Sequence, residues 1–380
     1  TGFENAIAGA PADVPRIDVD EADVARLRYT SGTTGNAKAA ILSHRAYRGS
    51  LVNLREHLHQ LGPSDRVLHA APLTHASAAL SYPILAAGGA SVIMPTFDAE
   101  KVLETIESHR ITTMFAVPTM LQRLASTPSF RTRDLSSIRT ISYGGAPMPV
   151  TKIEPLIERL GPVFMQIYGL TEALHPVTCL RRDQHFKGNP KLGSAGTLTS
   201  TCQIRVVDDD GQDVNAGEIG EFWIKGSIVF DGYWQDDAET ERTLRDGWVA
   251  SGDLGYRDAD GFYWIVDRKK NVIISGGFNV YASEIESTLA GHPAVADVAV
   301  IGIPHDDWGE AVHAVVNLKA GQSVDETALI AWGRSRLAGY KTPKSVTFSQ
   351  EPLPRNSAGK LARAAVVERV KKTIAVRADR

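Results

Sequence analysis

Between about residues 39 and 169, short runs of apolar residues alternate with longer stretches in which apolar residues recur every three or four positions. The continuous runs predict buried β-strands, and the longer spacing predicts amphipathic helices. Strands and helices that alternate in this way are typical of a parallel sheet with helices on both faces. The predicted strands lie at 67–71, 91–94, 113–117, 139–143 and 163–168, and two predicted helices lie at 98–109 and 150–160.

The pattern changes after about Pro190, where shorter apolar segments are separated by Asp-Gly and Ala-Gly turn signals. These segments predict strands at 203–207, 220–225 and 261–266, in a small antiparallel or barrel-like subdomain over about 190–266. Beyond Asn271, a helix at 282–290, strands at 295–303 and 311–318 and a helix at 324–338 predict a compact α+β domain. We therefore predict an α/β protein with domains at 1–269 and 270–380, which meet at the polar run 267–270.

The chain has 380 residues, of which 43% are hydrophobic and 22% are charged, as in a globular protein of two or three domains. A net charge of -3 argues against a nucleic-acid partner. Cys179 and Cys202 are too few for a disulfide framework, and they predict buried free thiols in a reducing, cytoplasmic compartment. Because the apolar runs fall well short of the ~20 residues that span a bilayer, we expect no integral membrane contact.

The strongest local signal is the run from Tyr29 to Lys38. It has two glycines and four Ser or Thr hydroxyls, and it ends in a lysine. Glycines let the backbone turn tightly and bring N–H groups close to a ligand, and hydroxyls with an ammonium group suit a polyphosphate. The spacing differs from that of a Walker loop. Taken alone, the run is equally compatible with a flexible linker.

Two further motifs follow predicted strands, at the edge where open parallel sheets bind ligands. The first ends in Tyr168-Gly-Leu-Thr-Glu172, which offers an aromatic ring for adenine, a hydroxyl for phosphate and a carboxylate for Mg2+. The second, Tyr143-Gly-Gly-Ala-Pro147, has glycines that let a flat base approach the backbone. Each motif alone is also typical of an ordinary turn.

Two later segments carry candidate polar groups. Asp253 is predicted to lie in a loop fifteen residues before Arg268, where the two side chains could hold ribose hydroxyls. A surface ion pair is the alternative interpretation. Lys360 lies in the polar loop 354–360 and, judged alone, would be an ordinary exposed lysine.

These motifs, in this order, resemble those of the adenylate-forming superfamily of acyl-CoA synthetases, nonribosomal-peptide adenylation domains and luciferases. The matching residues run from Tyr29 to Arg363, nearly the whole chain. The resemblance implies an AMP-binding domain and a mobile C-terminal domain. It also implies a role for each motif. The phosphate loop, which holds the β- and γ-phosphates of ATP, comprises Thr30, Ser31, Gly32, Thr33, Thr34, Gly35 and Lys38. The adenine-binding residues are Gly144, Gly145, Ala146, Tyr168 and Gly169.

The remaining roles implied by the resemblance concern phosphate, metal and ribose. Thr171 contacts the α-phosphate, and Glu172 is the Mg2+ ligand. Asp253 and Arg268 bind the ribose. Lys360 bridges the substrate carboxylate and the α-phosphate during adenylation.

The resemblance also assigns residues to the acyl pocket and to the second half-reaction. His75 resembles the gate between the ATP and acyl pockets, and an ordinary histidine at the start of a helix is the alternative interpretation. With Lys360, Thr171 and Glu172, His75 forms the catalytic set that the resemblance implies. Ser77 falls among the pocket positions. Lys270 falls at the hinge position. Gly276 and Gly277 belong to a loop that enters the site for thioester formation, with Gly277 lining the pantetheine channel. Lys360 and this loop cannot occupy one site together, so the C-terminal domain must rotate.

The resemblance also implies a longer N-terminal region than the twenty-eight residues that precede Tyr29. We therefore expect an N-terminal segment to be missing, together with strands and one wall of the acyl pocket.

The expected function is that of an ATP-dependent carboxylate–CoA ligase that uses Mg2+, passes through an acyl-adenylate and serves fatty-acid or aromatic-acid metabolism. One alternative is an enzyme that loads a carrier protein. Another is a truncated nucleotide-binding homologue without activity. The presence of all five charged site residues argues against this alternative, namely Lys38, Glu172, Asp253, Arg268 and Lys360. The identity of the small carboxylic acid and the presence of a homodimer are left open.

Overall fold

The computed structural model describes residues 2–10, 13, 16–31, 37–355 and 361–378. The helices are α1 (Gly2–Ala8), α2 (His44–His57), α3 (Ser81–Ala86), α4 (Ala99–His109), α5 (Pro118–Ser126), α6 (Val150–Leu160), α7 (Asp237–Thr243), α8 (Ala282–Ala290), α9 (Glu326–Arg334) and α10 (Arg363–Ala378). The strands up to the end of the first large sheet are β1 (Val24–Ser31), β2 (Ala37–Ser43), β3 (Arg66–His69), β4 (Ala90–Ile93), β5 (Thr113–Ala116), β6 (Thr140–Gly144), β7 (Phe164–Tyr168), β8 (Thr178–Leu180) and β9 (Thr197–Leu198). The later strands are β10 (Cys202–Val207), β11 (Gly220–Gly226), β12 (Leu244–Arg245), β13 (Trp248–Arg257), β14 (Tyr263–Arg268), β15 (Val272–Ser275), β16 (Phe278–Tyr281), β17 (Val295–His305), β18 (Gly309–Leu318) and β19 (Ser345–Ser349).

The first large sheet has the strand order β4-β3-β5-β6-β7-β8-β9. Its pairings from β4 through to β7 are parallel, and β8 and β9 extend it in antiparallel fashion. Strands β3 to β7 correspond to the apolar runs, and α4 and α6 correspond to the amphipathic stretches. The predicted parallel α/β layer is therefore confirmed.

The two faces of this sheet are both buried, which explains why its strands are apolar without alternation. On one face, Leu68 and Met114 join a core with Val102 of α4. On the other face, the adjacent residues Val67 and Phe115 join a second core that includes Leu54 of α2 and Ile84 of α3. Because successive strand residues point to opposite faces, a continuous apolar run is what a sheet between two helical layers requires.

The second sheet is antiparallel, with the order β10-β11-β13-β12 and with β14 also paired to β13. It contains the predicted strands at 203–207, 220–225 and 261–266. The ten-residue strand β13 was not predicted, and the expectation that Asp253 lies in a loop is wrong because Asp253 lies on β13. The Ser251-Gly252-Asp253 sequence is typical of a turn, but here Gly252 has a φ of 69° within the strand, where the pairing of β13 with β11 is irregular.

A compact polar cluster closes the hairpin between β13 and β14. Asp258 Oδ2 accepts hydrogen bonds from Lys191 Nζ at 2.7 Å and from Trp264 Nε1 at 2.9 Å, and the Asp258 carboxylate also accepts one from the Phe262 N–H. Burial opposes ionisation of this carboxyl, but the three donors outweigh that effect and lower the pKa of Asp258 to about 2.

Replacing Asp258 with Asn should therefore have a pH-dependent effect on stability. A carboxyl with a depressed pKa in the folded state stabilises the fold above its unfolded pKa, and this contribution is lost as the pH falls through the folded pKa. The difference in free energy of unfolding between the unchanged protein and D258N should decrease by about 2 kcal/mol as the pH falls from about 5 to about 2. Urea unfolding at several pH values measures this, and a difference independent of pH would contradict it.

The C-terminal part of the chain folds around a third sheet, with the order β16-β15-β18-β17 and with β19 parallel to β18. Its core joins α8 and α9 to the sheet through Ile285, Leu289 and Leu329, all fully buried. The short 3-10 helix Lys269–Asn271 lies between β14 and β15. The division of the chain at 269/270 stays a prediction.

Apolar side chains are exposed beside the outer strand β4 of the first sheet. Ile93 on β4 is 62% exposed, and Tyr82 and Leu85 on α3 are also exposed. None of the helices in the described part of the chain is long and apolar enough to cross a bilayer.

Candidate active site

The parallel strands bring the sequence motifs to one edge of the first sheet. His69, Gly144 and Tyr168 are the last residues of β3, β6 and β7, and these strands run in the same direction. The loops that carry the candidate site residues therefore start side by side at the carboxyl edge, where open α/β sheets bind ligands.

The glycines at this edge are required by close packing of the backbone. A Cβ on Gly144 would lie 2.2 Å from the carbonyl oxygen of Ile167 on the neighbouring strand, and one on Gly169 would lie 2.7 Å from Cα of His175. Gly145 has a φ of 79° and, with Ala146, is exposed at the edge. The sequence motifs predict that these glycines admit a base, but for Gly144 and Gly169 the protein's own backbone is the direct reason.

Tyr168 on the first large sheet and Asp253 and Arg268 on the second sheet form a cluster, which we call the Asp253 cluster. The Tyr168 hydroxyl donates to Asp253 Oδ2 at 2.7 Å, and Arg268 Nε lies 2.8 Å from Asp253 Oδ1. Strand pairing holds Asp253 directly opposite Arg268. Asp253 is 3% exposed, whereas the Arg268 side chain is 47% exposed and can reach a bound molecule.

The protonation states within the Asp253 cluster follow from these contacts. Burial, reinforced by the Asp253 carboxylate, raises the pKa of Tyr168 far above its usual value, so its hydroxyl remains a donor. The same carboxylate raises the pKa of Arg268, which stays a cation. Among the described residues, Tyr168 is the partner of one Asp253 oxygen and Arg268 of the other. A carboxylate oxygen has lone pairs for a second donor, such as a ribose hydroxyl.

A second cluster forms around Tyr233, which the sequence analysis missed. Its hydroxyl donates to Glu172 Oε1 at 2.6 Å, and its ring centroid lies 5.7 Å from Nζ of Lys38. Lys38 also pairs with Glu239. Tyr233 reaches this position because its segment pairs with Ala40 of β2, immediately after the phosphate-loop motif. Burial and the Glu172 carboxylate raise the pKa of Tyr233, which keeps the hydroxyl protonated.

Glu172 is suited to a Mg2+ ion that is bound mainly by phosphate oxygens. Groups of three or more metal-binding side chains are absent from the described part of the chain. Mg2+ in ATP-dependent sites typically takes one or two carboxylates, waters and oxygens of the substrate phosphates. A single half-buried glutamate that follows Thr171 in the chain and is connected to Lys38 through Tyr233 fits that requirement.

The turn that follows β3 contains His75. This residue is exposed, its Nδ1 lies 2.8 Å from Thr74 Oγ1, and it precedes the 3-10 helix Ala76–Leu80. Behind the turn, His69 is buried and hydrogen-bonded to Ser77 and Ser81. The sequence analysis did not select His69, although a histidine that ends a buried apolar strand at the carboxyl edge is a recognisable signal.

The C-terminal candidates lie on a hairpin and on the turn that leads to it. Gly276 and Gly277 form the turn between β15 and β16, with φ of 58° and 81°, and both are exposed. Lys270 lies in the 3-10 helix Lys269–Asn271. Their positions agree with an exposed loop and an interdomain turn, and their roles stay predictions.

Hydrogen bonds of Asp267 connect the two sides of this turn. One carboxylate oxygen accepts from the Arg268 N–H and from Asn271 Nδ2, and the other accepts from the Ser283 N–H at 2.8 Å. The Ser283 hydroxyl donates to the Val266 carbonyl. We call these contacts of Asp267 and Ser283 the Asp267 latch, because they join β14 to the start of α8.

Several predicted residues cannot be placed. Gly32, Thr33, Thr34, Gly35 and Lys360 lie outside the described residues. Thr30 and Ser31 are at the end of β1, and their backbones pair with Lys38 and Ala37 of β2. The structure thus brings together Tyr168, Asp253 and Arg268 and, separately, Lys38, Glu172 and Tyr233.

Comparisons with known families agree with this organisation. The family described as AMP-binding enzyme matches residues 3–234, and the family described as AMP-binding enzyme C-terminal domain matches residues 284–360. The two matches occur in the order expected from the sequence.

Individual proteins are similar over nearly the whole chain. A feruloyl-CoA synthase of Amycolatopsis sp is 42% identical over 361 residues, which are 94% of this chain and 72% of that protein. The medium/long-chain-fatty-acid–CoA ligase FadD8 of Mycobacterium tuberculosis is 38% identical over 363 residues, 94% of this chain and 63% of that protein.

A solved structure is similar in fold as well as in sequence. The o-succinylbenzoate CoA synthetase MenE of Bacillus subtilis, in complex with the acyl-adenylate intermediate OSB-AMP, superimposes with a TM-score of 0.85 at 34% identity. The match covers 95% of this chain and 73% of that chain. This chain is shorter than each of these three proteins. The chain belongs to the AMP-binding enzyme family and is an ATP-dependent carboxylate–CoA ligase of the AMP-forming type.

Proposed function

We propose that the carboxyl edge of the first sheet binds ATP through the two clusters described above and activates an aromatic carboxylic acid. The observation that supports this most strongly is the Asp253 cluster, in which a buried carboxylate and a partly exposed arginine are held by strand pairing. This arrangement presents fixed acceptors and donors to a diol such as ribose. Lys38 and Glu172, on either side of Tyr233, supply the charges that a triphosphate with Mg2+ requires.

The reaction has two steps whose charges explain these residues. An oxygen of the substrate carboxylate attacks the α-phosphorus of ATP, the bond from that phosphorus to the bridging oxygen breaks, and pyrophosphate leaves. Two anions must meet in this step, so Lys38 and Lys360 stabilise it by offsetting negative charge, and Thr171 donates to the α-phosphate. Bound Mg2+ supplies further charge neutralisation at the phosphates. The CoA thiol, after losing its proton, then attacks the acyl carbonyl and AMP leaves.

The two steps use different parts of the C-terminal domain. We assign Lys360 to adenylation and the hairpin with Gly276 and Gly277 to thioester formation. Lys270, in the turn between β14 and β15, is the hinge about which the domain rotates. The Asp267 latch spans this hinge, so it must open when the domain turns.

Replacing Gly277 with Leu should separate the two steps. A side chain at Gly277 meets open space in this structure, so the main local cost is the positive φ, of order 1 kcal/mol. If Gly277 lines the pantetheine channel, the leucine blocks CoA. We expect acyl-CoA formation to slow by more than about tenfold, which corresponds to 1.4 kcal/mol, while acid-dependent release of pyrophosphate in a single turnover is unchanged.

A leucine at Gly321 is the matched control for this variant. Gly321 also lies in the C-terminal part of the chain and has a φ of 74°, and a side chain there would likewise extend into open space. G321L should therefore retain both steps. Equal losses in G277L and G321L would contradict the channel assignment.

An aromatic acid is the substrate class that the comparisons favour. Feruloyl-CoA synthase is named for an aromatic acid and o-succinylbenzoate CoA synthetase for another, whereas FadD8 is named for fatty acids. The small side chains of Ser77 and Ala78, at positions that the sequence assigns to the acyl pocket, also favour an acid that carries a ring. A medium-chain fatty acid is the alternative.

The two cysteines support a cytoplasmic location. Cys179 and Cys202 are both buried free thiols. We place the enzyme in the cytoplasm, with a small carboxylic acid, ATP and CoA as its partners. A homodimer remains an alternative to a monomer.

The test is a panel of aromatic, aliphatic and alicyclic acids with ATP, Mg2+ and CoA, in which pyrophosphate and acyl-CoA are measured separately. Release of both with aromatic acids at the highest kcat/KM supports the proposal. Pyrophosphate without acyl-CoA would indicate a carrier-protein acceptor instead. A chain that binds ATP but releases no pyrophosphate with any acid would contradict the assigned activity.

A further inference from the structure

His69 is a buried histidine whose two ring nitrogens are both occupied. It is 1% exposed at the end of β3. Nδ1 lies 2.8 Å from the Ser77 hydroxyl, and Nε2 lies 2.9 Å from the Ser81 hydroxyl and 3.4 Å from the hydroxyl of Ser91 on β4. Burial lowers the pKa of His69, so the ring is neutral near pH 7. A neutral imidazole donates through one nitrogen and accepts through the other, and Ser77 and Ser81 therefore take opposite roles.

Both serines belong to the segment that immediately follows His75. Ser77 is fully buried in the 3-10 helix Ala76–Leu80, and Ser81 is the first residue of α3. We call residues 74–80 the His75 turn. Since β3 is an inner strand of the sheet, His69 connects a rigid element directly to this turn.

A second histidine contacts the same turn from another strand connection. His175, in the segment between β7 and β8, lies close to the backbone of Ala76 and is 8% exposed. Leu80, at the end of the turn, belongs to the core that contains Phe115 and Ile167, and Ala76 and Ala79 pack against that core. These apolar contacts are non-directional, whereas the hydrogen bonds of His69 are directional and fix the orientation of the turn.

We propose that His69 is a positioning residue that fixes the His75 turn and thereby sets the affinity for the carboxylic acid. The inference rests on the proposed role of His75 as the gate between the ATP and acyl pockets. Ser77, at a predicted acyl-pocket position, joins the His75 turn to His69 through this hydrogen bond. ATP binding depends on the Asp253 cluster and on Glu172, neither of which His69 contacts in this network.

Substitutions at His69 can separate the two hydrogen bonds. The amide of Asn reaches about as far as Nδ1, and the amide of Gln reaches about as far as Nε2. H69N should keep the bond to Ser77, whereas H69Q should keep only the contacts at Nε2, with Ser81 and Ser91. The bond to Ser77 is lost in both H69A and H69Q, and we expect each of these variants to raise KM for the acid about tenfold, which corresponds to about 1.4 kcal/mol for that bond. The KM of H69N for the acid should stay close to that of the unchanged protein. KM for ATP should change less than twofold in all three.

His59 provides the matched control. It is also buried, with Nδ1 2.8 Å from Thr140 Oγ1 and Nε2 2.8 Å from Asp65 Oδ1. Thr140 begins β6, and Asp65 precedes β3, so His59 lies at the amino edge of the same sheet. H59A should lower the melting temperature about as much as H69A does, without changing KM for the acid.

Hydrogen–deuterium exchange tests the inference without relying on activity. H69A and the milder variant S77A should accelerate exchange of amides in the peptide that covers residues 74–82, whereas H59A should not. Equal acid KM values in H69A and H59A, or unchanged exchange at 74–82 in H69A, would overturn the inference. If the unchanged protein releases no pyrophosphate, the proposed function fails, and the exchange experiment still decides whether His69 fixes the turn.

Discussion

Replacing Glu172 with Gln is expected to slow acid-dependent pyrophosphate release by about 10²–10³-fold, a typical effect of removing one charge-stabilising group from an active site. The substitution removes the negative charge that would bind Mg2+. It leaves an amide oxygen in place to accept the hydrogen bond of the Tyr233 hydroxyl, so the local structure should persist. The measurement is pyrophosphate release at increasing Mg2+ concentration, and the variant should need more Mg2+ to reach half its maximal rate.

The variant Y233F is the partner experiment. It removes the hydrogen bond to Glu172 but keeps the carboxylate charge, and it should cost about tenfold or less. E158Q on the exposed surface of α6, where Glu158 pairs with Lys187, controls for the loss of a carboxylate and should be neutral. If E172Q and Y233F lose activity equally and show the same Mg2+ dependence, Glu172 acts only by holding Tyr233.

Replacing Asp253 with Ala should have the second large effect, on ATP. The substitution leaves the buried Tyr168 hydroxyl and the Arg268 guanidinium without their shared acceptor and removes the group that would bind the ribose. Each lost hydrogen bond to a charged group costs about 1.5–3 kcal/mol, so kcat/KM for ATP should fall by about 100-fold. KM for the acid should change little, because the Asp253 cluster lies on the nucleotide side of the proposed site. Steady-state kinetics with each substrate varied in turn measures this difference.

D258A is the control for D253A, because Asp258 is also a carboxylate with one cationic and one aromatic donor in the same antiparallel sheet. Both variants should lower the melting temperature. Only D253A should change kcat/KM for ATP, and a similar kinetic loss in D258A would show that the effect arises from general destabilisation.

The sequence predicted the parallel layer well because burial on both faces leaves a strong signal. The residues of β7 are almost all apolar, and the amphipathic stretch at 150–160 coincides with α6. Strand β13 was missed because Ser251, Gly252 and Asp253 interrupt any regular pattern and resemble a turn. The short strands β15 and β16 leave too few residues for periodicity to be recognised.

The candidate site was predictable where residues share a motif and less so where contacts depend on the tertiary fold. The pairing of Asp253 with Arg268 was anticipated as a function but not as a strand register. Tyr233 lies sixty-one residues beyond Glu172 and meets it only because its segment pairs with β2. Nothing in the local sequence around Tyr233 indicates that contact. His69 carries a weak local signal, but its role depends on where Ser77 and Ser81 fold back.

The Asp267 latch has a consequence for how the enzyme responds to its ligands. Its bonds to Ser283 cross the proposed hinge, and a hydrogen bond to a charged group contributes about 1.5–3 kcal/mol. A preference of that size populates the latched orientation by about one to two powers of ten over an unlatched one, and a ligand with a modest differential affinity can reverse it. If the C-terminal domain rotates about Lys270 as proposed, the latched orientation dominates in the resting enzyme, and a ligand that binds the other orientation more tightly by one to two powers of ten is enough to shift the population.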